Sequence, residues 1–310
     1  MRRRSLLPCA VVALLAFAPV SAAKAPSSWA QPQIQAVVSA GIMGTDVSSF
    51  RPNDPLTRIA LEQLAAGLTH TAPALVSSPT APVTMTGLDA RLVNALALTD
   101  TAKLFQQSAA AAGLKPPSRF GTEAVARLIG LRTNHPAAQD NLELLPNQSA
   151  TRAEAAYSGA EILKFSGWEL PAVQEAATTF TLPALTAWQQ RILQTAVRFI
   201  GFPYVWGGTS EQAEAPFGVQ APGGFDCSGF VWRVYKLQAY PNEGMLASVL
   251  RGRTTFTMSG EVPATKRIPL TKLQPADVLF FGARGPKSKP AQVDHTGIYL
   301  GNGWFIHSSG

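Results

Sequence analysis

Apolar positions along this chain follow two periods. From Trp29 to Phe180, alanine-rich amphipathic stretches alternate with loops of Pro, Asn, Ser and Thr. Runs rich in β-branched residues are few there, which predicts a mostly helical region. Another helix is predicted near Leu185 to Ile200, where Trp188, Ile192, Leu193, Ala196, Phe199 and Ile200 recur at helical spacing. After Gly223-Gly224, Phe230, Val231, Val234 and Leu237 form a stripe at i, i+1, i+4 and i+7, predicting a helix that begins at Asp226-Cys227. The period then changes to two. In Val293 to Leu300, His295, Gly297 and Tyr299 share one face of a strand, and Asp294, Thr296, Ile298 and Leu300 share the other. Gly301-Asn302-Gly303 reads as a turn, and Trp304 to Ser308 as the returning strand of a hairpin.

The first 25 residues stand apart. Arg2-Arg3-Arg4, an apolar run from Leu6 to Ala18 and small residues up to Ala25 form the three regions of a secretory signal. The run is shorter than the roughly 20 residues that span a bilayer, so no stable membrane insertion is expected after cleavage. Cys9 precedes most of the run, where a lipidated cysteine would follow it. The expected organisation is a signal over 1–25, a helical domain over 26–175, a Pro- and Thr-containing linker over 176–186 and a second domain over 187–310.

Charge changes the picture modestly. The leader holds four of the 26 basic residues, leaving 22 against 19 acidic ones, with the excess in the second half. That favours a polyanionic partner, and the absence of a Lys/Arg run interleaved with aromatics argues against nucleic acid. Cysteine changes it more. Without the leader Cys227 stands alone, so an intramolecular disulfide is excluded in an exported chain, where structural cysteines usually pair. The thiol is buried and inert, paired between chains, or catalytic.

Two stretches of the helical region share a phrase. Ala40-Gly41-Ile42, Phe50-Arg51-Pro52-Asn53 and Leu56-Thr57-Arg58 precede one helix; Ile129-Gly130-Leu131, Leu144-Leu145-Pro146-Asn147 and Ala150-Thr151-Arg152-Ala153-Glu154 precede another. Thr57 and Thr151 stand where an N-cap belongs, and Glu154 is placed for a capping box. The phrase resembles S-layer homology repeats, wall-binding modules that normally come in threes, and implies an anionic cell-wall polymer as partner. No third copy is visible in the sequence.

The chemistry concentrates in the second domain. A thiol in the first turn of a helix faces unpaired amides and the positive end of the dipole, which predicts a lowered pKa and oxyanion donors. His295 is the candidate base. Asp294 points to the other face of the strand, whereas His307 on the returning strand is placed to bond the far nitrogen of His295. His70 and His135 lie in polar loops and are expected at the surface. Cys227, His295 and His307 could in principle ligate zinc, but no paired-ligand spacing supports a metal and no cofactor is implied.

The strings PYVWGG, GGFDCSGF, LQPADVLFF, DHTGIYLGNG and FIHSSG, in that order, resemble the NlpC family of papain-fold peptidoglycan peptidases. The resemblance implies an α+β papain-like domain in which the helix carrying the cysteine packs on a small antiparallel sheet, behind the mostly α-helical domain. It implies Cys227 as nucleophile, His295 as general base, His307 as the polar third member and Tyr204 as a phenol near the thiol. Asp226, Ser228 and Trp206 would line the substrate cleft, where the family commonly recognises the free amine of a stem peptide. The expected product is a secreted, wall-associated thiol protease cutting peptidoglycan stems, between γ-linked D-glutamate and the diamino acid.

Other readings of these residues remain. Tyr204 and Trp206 could be packing aromatics, Asp226 an N-cap only, and Asp277 a turn residue ahead of a strand. The same Cys-His pair could serve an acyltransferase or amidase on another envelope substrate, or the domain could be a non-catalytic wall-binding scaffold. Fourteen residues separate Gly208 from Gly223, a longer link than the family usually has, which predicts a reshaped cleft entry. The chain stops three residues after His307, where the resemblance implies a further strand, so either the sheet closes differently or the chain is shortened.

Overall fold

The computed structural model describes residues 28–134, 143–242, 244–246 and 250–310; the leader, Cys9 and His135 lie outside them. Among the described residues, the first part is helical: α1 (Gln31–Ser39), α2 (Arg58–Thr69), α3 (Met85–Ala95), α4 (Thr99–Ala111), α5 (Phe120–Leu128), α6 (Arg152–Leu163) and α7 (Glu169–Thr179).

Three of these helices start from one ring. Thr57, Thr84 and Thr151 cap α2, α3 and α6, and their hydroxyls accept from Ala60, Gly87 and Glu154 amides. The residues just before the caps close a cycle of backbone bonds. Leu56 N donates to Ala150 O (2.7 Å), Ala150 N to Val83 O (2.8 Å), and Val83 N to Leu56 O (2.9 Å). All three side chains are buried, so each strand-like segment satisfies its amides through its neighbours rather than through water. Two members of the ring carry the phrase read from the sequence. The third, Pro82-Val83-Thr84, is a further capped helix start in the same ring, without the Arg that follows the other two caps. Glu154 does not complete a capping box; its carboxylate is buried and adds to the field around Arg132.

Arg132 is the polar centre of this domain. Its fully buried guanidinium bonds Asp89 (2.8 Å) and Glu143 (2.7 Å) and lies 3.6 Å from Glu123. Burial of this excess of carboxylates pushes Asp89 up to about 7.

The second part comprises α8 (Ala187–Arg198), α9 (Cys227–Tyr235) and α10 (Thr255–Gly260), with β1 (Thr209–Ser210), β2 (Gly224–Phe225), β3 (Ala239–Tyr240), β4 (Gly244–Met245), β5 (Val278–Gly282), β6 (Val293–Gly301) and β7 (Trp304–Ile306). The last three form an antiparallel sheet in the order β5-β6-β7. α9 packs on β6, whose buried face is Thr296, Ile298 and Leu300, as alternation predicts.

No free linker separates the two parts. α7 crosses residues 175 and 176, and Phe180 just after it is buried edge-on against Trp304 (5.0 Å) beside Phe105 (5.1 Å). The Arg119 guanidinium donates to Arg198 O (2.8 Å) and Ile200 O (2.9 Å), serving carbonyls at the end of α8 that the helix leaves unpaired. One apolar cluster runs through both parts. Its stacked aromatics make the packing of helical domain against sheet a shared core.

Candidate active site

The site forms where the N-terminus of α9 meets the middle of β6. Asp226 caps α9, with Oδ1 accepting from Gly229 N (2.5 Å), which places Cys227 in the first turn, 8% exposed. The thiol sits beside β6: its sulfur lies 4.0 Å from Asp294 O, and the amides of Ser228, Thr296 and Cys227 point at it. No hydrogen bond joins the sulfur to the His295 ring among the described residues.

His295 lies on the half-buried face of β6, opposite Phe281 of β5, whose ring packs 5.8 Å from the imidazole. Its Nε2 is 2.8 Å from Nδ1 of His307, which follows β7. Gly297 makes this approach possible, because a β-carbon there would stand 2.9 Å from Ile306 O and 3.1 Å from the His307 β-carbon. Asp294 is exposed. Behind His307 and Ser308 a cavity of about 250 Å³ opens between the two parts, lined by Phe105, Phe180, Phe225 and Trp304.

Electrostatics differ from the sequence expectation at the thiol. Burial, followed by the Asp226 carboxylate, holds Cys227 above its ordinary value, outweighing the amides that favour the thiolate. The predicted lowering is thus overturned. Burial also lowers His295, and burial plus the neighbouring His295 lowers His307 to about 4. At neutral pH the site therefore holds a neutral thiol and two neutral imidazoles. Tyr204, bridged to Phe225 just before Asp226, is pushed up to about 12 by burial, then by Cys227 and Asp226, so its phenol keeps its proton.

Arg253 was not singled out in the sequence, yet it ties this corner together. It donates to both Asp226 oxygens (3.2 Å each), to Ser228 Oγ (2.7 Å) and to Gly207 O (3.0 Å). With Ser228 Oγ (3.0 Å) and Gly207 N (2.9 Å) also donating, Asp226 accepts five hydrogen bonds, three on Oδ1 and two on Oδ2. Asp226 and Ser228 are both buried, whereas Trp206, next to Gly207, is 71% exposed. The only sequence signal for Arg253 is its placement two residues before α10, which packs on β6. His70 is exposed at the left-handed C-cap of α2, far from this chemistry in the chain. No group of three His, Cys, Asp or Glu arranged to hold a metal occurs among the described residues.

A cysteine at a helix start, beside a histidine on the adjoining antiparallel sheet, defines an α+β papain-like domain. Residues 201–310 match the NlpC/P60 family, and residues 23–61 match the S-layer homology domain. The chain thus carries an NlpC/P60 domain behind an S-layer homology domain. It is 32% identical over 117 residues to gamma-D-glutamyl-L-lysine dipeptidyl-peptidase of Bacillus subtilis (strain 168), covering 38% of this chain and 31% of that protein. It is 35% identical over 109 residues to murein DD-endopeptidase MepH of Escherichia coli (strain K12), covering 35% and 32%. Against probable peptidoglycan endopeptidase LytE of Bacillus subtilis (strain 168) the identity is 35% over 118 residues, covering 38% and 26%. The chain therefore spans under a third of each of these relatives. No solved structure matches it. No helix among the described residues is long and apolar enough to cross a membrane.

Proposed function

We propose that this chain is an exported cysteine endopeptidase that cuts peptidoglycan stem peptides at the bond joining γ-linked D-glutamate to the diamino acid. The observation that carries the reading is a helix-start thiol seated against β6, the strand bearing His295, whose Nε2 is already held by a second histidine at 2.8 Å. The relatives named as a gamma-D-glutamyl-L-lysine dipeptidyl-peptidase, a murein endopeptidase and a probable peptidoglycan endopeptidase support the substrate class.

His295 Nε2 is engaged with His307, so Nδ1 is the nitrogen left to take the thiol proton. That requires the tautomer in which Nε2–H donates to His307 Nδ1, and a neutral His307, kept so by its low pKa, can accept. Cys227 attacks the amide carbonyl as His295 removes its proton, and the imidazolium then protonates the departing amine. Water hydrolyses the thioester and returns the proton to sulfur. The Tyr204 phenol, protonated at any working pH, donates to the oxyanion, and the amides at the start of α9 share that charge. The helical domain, with its ring of three capped helix starts, would hold the enzyme on an anionic wall polymer.

Mass spectrometry of muropeptides after incubation with wild type and Cys227→Ala tests this reading. Wild type should release fragments ending at γ-D-glutamate and the variant none; intact stems in both samples would sink it.

A further inference from the structure

The longer link after Gly208 is a built element. Glu214 accepts from Thr209 N (2.8 Å) and Ser210 N (3.2 Å), and its backbone exchanges two bonds with Ala221 (3.1 and 2.8 Å). Glu211 pins the link to α9 through two 2.7 Å bonds from Arg233. At its tip Phe217 holds a left-handed backbone, φ 52°, which is costly for a bulky residue, and leaves its ring 81% exposed. That ring lies over Gly207, occupying the space a β-carbon there would need. Gly207 in turn bonds Asp226 and Arg253, immediately before the nucleophile. Trp206, next to Gly207 in the chain, and Phe217, packed over it, are therefore both solvent-exposed aromatics at the segment that bonds Asp226, the residue before Cys227.

Two further observations narrow the occupant. Residues 206–223 contain only two charged side chains, Glu211 and Glu214, and both are engaged within the fold, so this link offers aromatic rings rather than unengaged charge to a ligand. Asp226, the carboxylate expected to receive a free stem amine, is buried and already accepts five bonds. An ammonium would have to displace Arg253 to reach it. A stem whose N-terminus is not a free amine, because it continues into the glycan, meets no such conflict. N-acetylhexosamine rings are neutral and offer an apolar C–H face to an aromatic ring, with hydroxyls and acetamide left at the edge for water.

We propose that Trp206 and Phe217 form a saccharide platform that selects stem peptides still attached to an N-acetylated glycan strand over free stems. The proposal rests on the peptidase reading above and deepens it.

The test compares kcat/KM of the full chain on a disaccharide-tetrapeptide and on the free tetrapeptide of the same sequence. Wild type should prefer the disaccharide-linked form by about tenfold or more, one aromatic contact being of that order. Phe217→Gly, which suits the left-handed backbone and removes the ring, should abolish the preference, and Phe217→Tyr should retain it. Equal rates on the two substrates, or a preference that survives Phe217→Gly, would overturn the platform while leaving the peptidase standing. Cleavage of neither substrate would overturn the peptidase. Calorimetric titration of the two ligands into the chain then judges the platform separately: tighter binding of the disaccharide-linked form, lost in Phe217→Gly, supports it, and equal or absent binding refutes it.

Discussion

Arg253→Met tests the corner that holds Cys227. The substitution keeps most of the aliphatic stem and removes the bonds to Asp226, Ser228 and Gly207. The Arg253 side chain is 30% exposed and that of Asp226 11%, so the pair is screened by water only on the arginine side. Breaking a fully buried pair costs about 3–5 kcal/mol, and exposed pairs contribute under about 1 kcal/mol. This geometry falls between them, and a loss of about 2–4 kcal/mol is expected in urea unfolding. Asp226→Asn should cost less, about 1–2 kcal/mol, because an amide oxygen still caps α9. The double variant should be milder than the sum of the two, since each change already removes the shared interaction, with a coupling energy of about 1.5 kcal/mol or more. A second readout separates electrostatics from packing. With Arg253 gone, the Asp226 charge bears on Cys227 unopposed, so alkylation at pH 8 should slow in Arg253→Met and recover in the double variant. A coupling energy below about 0.5 kcal/mol would refute the account of Asp226 as a carboxylate held by Arg253.

The thiol itself should alkylate no faster than an ordinary cysteine near pH 6, with its rate-against-pH curve displaced to higher pH than a free cysteine's, because burial and Asp226 raise its pKa; rapid alkylation sustained at pH 6 would refute a neutral resting thiol. His307 titrates near 4 in the fold against about 6.5 unfolded, so the unfolded chain binds the extra proton and stability should fall as pH drops through that window. His307→Asn should flatten this decline in melting experiments. Thr84→Ala removes the cap that the sequence phrase does not mark and should cost about 1 kcal/mol, comparable with Thr151→Ala; no measurable loss would argue that the third helix start is dispensable to the ring.

Much of the site was legible in sequence because its logic is local. A glycine turn, an Asp cap and an apolar stripe define where α9 begins, and period-two alternation puts His295 on the face away from Asp294 and Leu300. Likewise the short turn after Gly301 fixes a hairpin, and with it the neighbourhood of His307. What tertiary structure decided involves partners distant in the chain or bonds blind to side-chain identity. The ring of Leu56, Val83 and Ala150 is made by backbone amides, so its third member needs no recognisable motif. Arg253 reaches Asp226 across 27 residues, and the helix start that should have lowered the thiol pKa is offset by burial against β6 and by that same aspartate. Local pattern marked the candidate residues; burial and long-range pairing decided their protonation and how fully Asp226 is already engaged within the fold.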